Sequence, residues 1–271
     1  MRLIYPPGDI PSDADLAALY TFGDPDPDTN RWTRANMVSS ADGASTLSGR
    51  SGGLSSTSDQ AVFALQRALA DVILVGAGTA RAEGYQPVRL HEGARWRSLR
   101  EGRPATTPIA VVTSALGLDL ASPLISDAPE DARTLLITTA AAPAARRKQA
   151  AKTAEVIVAG EARVDPRAAV TELAGRGYPR ILLEGGPLLL SQFVSGGLLD
   201  DLCLTIAPLL AGPGADRIVA NPSRPMAPPE GIPRRFHLAH VLEDNGFLLC
   251  RYTRASYRPK AAAAPAATRA G

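Results

Sequence analysis

Residues 181–190 read ILLEGGPLLL. Four residues interrupt an otherwise apolar run: Glu184, Gly185, Gly186 and Pro187. Residues 178–184 have the length and apolar content of a buried strand. The run from Pro187 restarts as a helix over 187–197, closed by glycine. Proline at a first helical position wastes no N–H, because that N–H has no helical partner. Glycine lets the backbone approach a ligand closely and permits φ > 0. The open amides of the helix start carry its positive dipole end. Such a strand end is either plain turn chemistry or an anion site for a phosphate or pyrophosphate. Glu184, at the strand's open end, is expected to face the same cleft.

The same punctuation recurs in ILVGAGTARAE (73–83), where Gly76, Gly78 and Thr79 follow a strand. Neither run fits G-x-G-x-x-G with an acidic residue about 20 positions on, and no G-x-x-x-x-G-K-[ST] is present, so the Rossmann and P-loop fingerprints fail. A third element is NMVSSADGAST (36–46), a strand that breaks into Ser39, Ser40, Asp42 and Gly43. The polar stretch SGRSGGLSSTSD (48–59) follows. It is either a simple flexible loop or one that wraps a ligand.

Around these turns, strands and helices alternate. Strands are predicted over 34–40, 71–76, 108–114, 134–139, 154–160, 178–184 and 200–210. Helices are predicted over 12–20, 56–70, 141–151, 165–177 and 187–197. Segments 234–244 and 247–254 flank Asn245-Gly246, a hairpin-turn dipeptide. Repeated strand–helix units predict an α/β fold with a mostly parallel sheet and helices on both faces, made mixed by the C-terminal antiparallel hairpin. We expect one domain over 1–257, with residues 1–30 as an N-terminal extension. Residues 258–271 (RPKAAAAPAATRAG) read as a disordered Ala/Pro tail.

The 271 residues carry 29 Lys+Arg against 27 Asp+Glu, a net charge of +2. The charges are interspersed, which argues against nucleic acid as a partner. Cys203 and Cys250 lie in apolar runs, and His91, His237 and His240 form no ligand cluster, so no metal site is expected. There is no signal-peptide pattern and no run of 18 apolar residues. A soluble, cytoplasmic protein away from membranes is the expectation.

Five blocks in order carry a resemblance: SSADG (39–43), SGGLSS (51–56), LQRALADVILVGAGTARAEG with YQPVR (65–89), LLEGGPLLLSQF (182–193) and LDDLCLTIAPLLAG (199–212). Together they resemble the riboflavin-biosynthesis pyrimidine reductase family, whose fold is like dihydrofolate reductase. The resemblance implies NADPH-dependent reduction of 5-amino-6-(5-phosphoribosylamino)uracil to the ribitylamino product by a homodimer. The H-x-E and P-C-x-x-C motifs of the deaminase that precedes the reductase in bifunctional members are absent.

Carried over by position, Ser51, Arg67 and Arg89 would hold the substrate's phosphate and sugar, as guanidiniums clamp phosphate. Glu184 would accept hydrogen bonds from the ring edge, with Asn36 and Asp59 beside the substrate; Asp59 at a helix start is also an ordinary dipole-compensating residue. Ser39, Gly53, Thr79, Glu83, Thr113 and Ser114 would line NADPH. Gly76, Gly78, Gly185, Gly186, Pro187, Leu188 and Leu189 would surround its pyrophosphate. Asp42 and Glu184 are the candidate proton donors. This chain departs from the family at Ala41 (usually Leu), Asn36 (often Lys), Gly53 (Trp) and Glu83-Gly84 (Asp with D-P or N-P). Those departures keep open a reductase of a dihydropterin-like substrate, or a non-catalytic nucleotide-binding relative.

Overall fold

Val72, Ile73, Leu74 and Val75 are all fully buried. Val72 and Leu74 pack into one apolar cluster, Ile73 and Val75 into another. Successive strand residues point to opposite faces, so a strand apolar throughout must be covered on both sides. Residues 1–10, 12–88, 94–219 and 233–254 of the computed structural model are described here; Arg89, His91 and the expected tail lie outside them.

In chain order the elements are β1 (Arg2–Tyr5), β2 (Pro7–Gly8), α1 (Asp13–Leu19), β3 (Trp32–Ser40), α2 (Thr57–Leu69), β4 (Val72–Gly76), α3 (Ala77–Ala82), β5 (Ile109–Val112), α4 (Pro123–Ser126), β6 (Leu135–Thr138), α5 (Ala144–Ala150), β7 (Glu155–Val158), α6 (Pro166–Gly175), β8 (Arg180–Leu183), α7 (Pro187–Gly196), β9 (Asp201–Ala207), β10 (Phe236–Asp244) and β11 (Phe247–Arg254). The strands form one eleven-stranded sheet in the order β2-β1-β10-β11-β9-β3-β8-β4-β5-β6-β7. From β9 to β7 the neighbours run parallel, while β11, β10 and β1 are antiparallel. Residues of α6 and α7 cover one face; α3, α4 and α5 cover the other, with α1 and α2 packed beside them.

This is the fold class expected from the sequence. Asn245 (φ 50°) and Gly246 (φ 82°) make the two-residue hairpin turn. Strand ends moved by one or a few residues. The strand expected to reach residue 210 stops at Ala207, where Pro208 has no N–H to donate. The helix expected from residue 141 starts at Ala144, after Pro143 as its cap. The two-residue strand β2 and the short helix α4 were not anticipated.

The side of the sheet remote from α6 and α7 buries charge. Arg34 on β3 and Asp201 on β9 are register partners, and both are fully buried. Asp201 accepts Arg34 Nε at 2.8 Å and Nη2 at 2.6 Å, and Arg251 Nη2 at 2.9 Å. The two guanidiniums also donate to the carbonyls of Leu19, Tyr20 and Thr21, which the end of α1 leaves unpaired. Burial pushes the Asp201 carboxyl up, but Arg34 and Arg251 outweigh it and hold it below its ordinary value. His240 packs edge-on against Tyr20, with centroids 4.9 Å apart, and its Nε2 has no hydrogen-bond partner among the described residues.

Burial, reinforced by Arg251, lowers His240 from 6.5 to about 3. The unfolded chain therefore binds a proton there between those values and the folded chain does not. Stability is fully present above pH 6.5 and falls as pH drops toward 3. The slope from this group reaches about 1.4 kcal/mol per pH unit at most. Chemical denaturation from pH 7 to 4 should show this slope, and His240→Leu should flatten it; equal slopes in the two proteins would remove His240 as the source.

Candidate active-site cleft

The carboxyl ends of β3, β8, β4 and β5 lie side by side in the sheet. Gly76 ends β4 and caps α3, and Gly186 caps α7; neither helix start has a side-chain cap. The Gly76 N–H donates to the Gly185 carbonyl at 2.9 Å. Gly185 has φ +100°, a conformation L side chains rarely adopt, and the peptide between it and Gly186 is cis. Gly186 has an ordinary φ of −78°. Its requirement is space: a Cβ there would lie 2.3 Å from Thr79 Oγ1. The double glycine is thus needed first for packing of two turns against each other.

Beside these turns is a cleft of about 430 Å³, within the size range of small-molecule sites. Of the residues picked from sequence, Ser51, Gly76, Gly78, Thr79, Glu83, Gly186, Pro187, Leu188 and Leu189 line it. Met37, Ser45, Thr46, Gly49, Ala82, Val112, Gln192 and Asp216 complete the wall and were not picked. Gln192 lies three and four positions after Leu189 and Leu188, one helical turn on, so helical spacing could have found it. Met37 shares a strand face with Ser39 by alternation. Asp216 arrives on a loop with no sequence signal. Among the described lining residues the charged ones are Glu83 and Asp216, both acidic. Glu83 accepts the Ser51 N–H at 2.9 Å, tying the 48–59 loop to the end of α3.

Other expected cofactor residues stand around the cleft without lining it. Ser39 is buried in β3, and Gly53 packs against Leu47. The Thr113 N–H continues the β5–β6 ladder to Ile137, and exposed Ser114 accepts both Thr138 and Thr139 hydroxyls at 3.0 Å.

Asp42 is not the proton donor expected from the sequence. Its carboxylate accepts the Ser40 hydroxyl, the Ala211 N–H at 3.1 Å and the Gly212 N–H at 2.9 Å. These bonds, Ser40's first, hold it down to about 2, so it is ionised at neutral pH. Its place is structural: it fastens the loop after β3 to the loop after β9. Ala41 N–H to Leu209 and Ser45 N–H to Asp216 carbonyls, at 2.9 and 2.7 Å, fasten the same two loops.

Glu184 and Arg67 also differ from expectation. Glu184 turns away from the glycine cleft to the α2 side, and its side chain is 1% exposed. It accepts Arg67 Nε and Nη2, each at 2.7 Å, and the Tyr85 hydroxyl at 2.7 Å. Arg67 lies over the Phe63 ring at 4.1 Å. Burial alone would lower the guanidinium's pKa, but Glu184 raises it. Arg67 is therefore committed to a carboxylate rather than held free for a phosphate. Asn36 accepts Gln66 Nε2 at 2.6 Å on the same side. Asp59 accepts the Ser55 hydroxyl at 2.6 Å in the first turn of α2, as a helix-start carboxylate does. Tyr85 was missed because it falls where the sequence was read as a departure.

Residues 31–244 match the RibD C-terminal domain. The chain belongs to that family. A 2,5-diamino-6-ribosylamino-4(3H)-pyrimidinone 5′-phosphate reductase from Archaeoglobus fulgidus is 31% identical over 146 residues, which are 54% of this chain and 65% of that protein's length. A crystal structure of a pyrimidine reductase-like protein from Corynebacterium diphtheriae is 30% identical, covers 88% of this chain and 98% of that one, and gives a TM-score of 0.72. A Thermotoga maritima diaminohydroxyphosphoribosylaminopyrimidine deaminase/5-amino-6-(5-phosphoribosylamino)uracil reductase, at 19% identity and a TM-score of 0.60, covers 83% of this chain and 56% of that one. At that identity the likeness speaks for the fold alone. No group of three metal-ligating side chains occurs among the described residues of this RibD C-terminal domain, and no helix there is long and apolar enough to cross a membrane.

Two substitutions test the cleft. Gly186→Ala should lower stability by about 1–3 kcal/mol through the collision with Thr79, and Gly186→Ala with Thr79→Ala should recover most of it in denaturant titrations. A single variant as stable as the native chain would refute the packing role. Asp42→Ala removes two of the hydrogen bonds that fasten the two loops and should lower stability in denaturant titrations, with Asp42→Asn in between. Because Asp42 stays ionised down to about pH 2, the effect should persist unchanged from pH 8 to pH 5.

Proposed function

We propose that this chain is an NADPH-dependent reductase that converts a ribosylaminopyrimidine 5′-phosphate to its ribitylamino form. The observation that carries the reading is the backbone-lined cleft between the ends of β4 and β8, in a family with a named pyrimidine phosphate reductase among this chain's relatives.

A nicotinamide dinucleotide fits the residues present. A Cβ at Gly78 would meet nothing within 4 Å, and the wall at Gly76 and Gly186 is bare main chain. With no Lys or Arg among the described lining residues, its phosphate bridge would rest on the open amides at the start of α7. Thr79, Pro187, Leu188 and Leu189 would flank it, and Ser114 would meet a 2′-phosphate. When bound, the dinucleotide supplies the hydride.

The chain's own part is positioning and exclusion of water. Met37, Val112 and Leu189 give the cleft an apolar wall. Glu184, held by Arg67 and Tyr85, lies buried on the neighbouring side of β8 and would shape the floor beneath the ring. Asp42 holds no proton to give at neutral pH.

The test is consumption of NADPH by the intact chain, followed optically. Turnover is expected with the ribosylaminopyrimidine phosphate and not with dihydrofolate. Turnover of dihydrofolate instead would favour a pterin reductase. Tight NADPH binding with no turnover of either would make the chain a non-catalytic relative.

A further inference from the structure

The two charged side chains among the described cleft residues are both carboxylates, and main-chain contacts set both in place. Asp216 is anchored through its carbonyl, which accepts the Ser45 N–H at 2.7 Å and the Ser45 hydroxyl at 2.9 Å. Its carboxylate has no hydrogen-bond or ion-pair partner among the described residues. Glu83 spends Oε1 on the Ser51 N–H at 2.9 Å, and its Oε2 has none. Arg50 and Arg217, next in sequence to Ser51 and Asp216, are exposed and stand outside the wall. A cleft that served phosphates alone would gain nothing from two carboxylates, which repel them. Unspent negative charge here asks for positive charge on another part of the ligand.

The order of the strand ends says which part. Ser114 follows β5 and Asp216 follows β9, so they lie toward opposite ends of the row β9-β3-β8-β4-β5, with the Gly186 turn after β8 between them. A dinucleotide whose phosphate bridge rests on the start of α7, and whose 2′-phosphate meets Ser114, sends its nicotinamide end toward the loops after β3 and β9. That end of the cleft is walled by Ser45, Thr46 and Ser51 of the first loop and Asp216 of the second, with Glu83 bonded to Ser51. The reduced nicotinamide ring is neutral. The ring that has passed a hydride, with both electrons of its C–H bond, to the substrate carbon carries one positive charge.

We propose that Glu83 and Asp216 make the cleft discriminate by redox state: they favour the cationic ring, and so hold NADP+ more tightly relative to NADPH than the phosphate contacts alone would. Charge that develops on the ring is then stabilised as it appears. The spent dinucleotide also competes with the next NADPH, so the ratio of NADP+ to NADPH throttles the chain. This rests on the reading above that the cleft takes a nicotinamide dinucleotide.

Both carboxylates can be neutralised without unfastening the loops. Asp216→Asn leaves the carbonyl bonds to Ser45, and Glu83→Gln keeps an oxygen for the Ser51 N–H. Calorimetric titration of the intact proteins with NADPH and with NADP+ needs no turnover. Removing a negative charge should tighten both forms, because both carry phosphates, and should tighten NADPH more, because only NADP+ loses an attraction. The ratio of the NADP+ Kd to the NADPH Kd should therefore rise at least about threefold in each variant and about tenfold in the double variant. High salt should shrink these differences, since it screens an exposed carboxylate. Inhibition of NADPH consumption by NADP+ should weaken in parallel. Equal tightening of both forms would mean that the carboxylates act on the phosphates alone, and would overturn the proposal while leaving the cleft as a dinucleotide site. Binding of neither form by the native chain would overturn both. If the variants do not fold, the native chain decides: added salt should weaken NADP+ relative to NADPH, and a ratio indifferent to salt overturns the proposal.

Discussion

The Gly76 N–H donates to the Gly185 carbonyl at 2.9 Å, joining the ends of β4 and β8 where both give way to helices. The two turns meet through main chain and the Thr79 side chain: a Cβ on Gly76 would stand in ordinary contact, 3.6 Å from Gly186 N, whereas one on Gly186 would fall 2.3 Å from Thr79 Oγ1. Any larger side chain at Gly186 would force Thr79 and α3 away from α7. The cleft exists because these two helix starts are close enough to share one wall. Its electrostatics follow from the same contact. Backbone amides with no side-chain cap accept an anion without a cation having to be buried, which suits a wall whose described charges are both acidic.

Far from that edge, buried charge sets the register that brings the turns together. Arg34 opposes Asp201 across β3 and β9, and Arg251 closes the group from β11. A slip of one residue between β3 and β9 would carry a guanidinium to the apolar face under α7 and leave a carboxylate unpaired. Breaking a buried pair in this way costs about 3–5 kcal/mol. Hydrophobic strands such as VILV resist slippage only by size and shape. The ion pairs add a penalty specific to register, and with β3 fixed, Asn36, Met37 and Ser40 take their places relative to β8.

Much of this was legible in the sequence. The glycine turns, the alternating strands and helices and the Asn-Gly hairpin are local signals, and nine of the picked residues line one cleft. What was not legible depends on pairings across the chain. Asp42 looks like an exposed acid after a strand; only its contact with Ala211 and Gly212 makes it a fastener. Glu184 and Arg67 were read as two separate ligand contacts, yet they are 117 positions apart in sequence and consume each other. Nothing in a linear reading tells that a carboxylate's lone pairs are already spent. The edge strand β2 escaped notice because its two exposed residues have no apolar period to betray them.

The two sides of β8 divide the work of recognition between different materials. On the α7 side the contacts are backbone, which cannot be altered by substitution except by blocking the space, and which recognises any phosphate bridge. On the α2 side they are side chains, each of whose hydrogen bonds is conditional on a neighbour: Asn36 on Gln66, Glu184 on Arg67 and Tyr85. A change at Tyr85 or Gln66 alters which atoms remain open without touching the sheet, the glycine turns or the register. If the proposed reduction holds, the fold can keep its glycine turns constant while the donors and acceptors on the α2 side are reset by neighbouring residues.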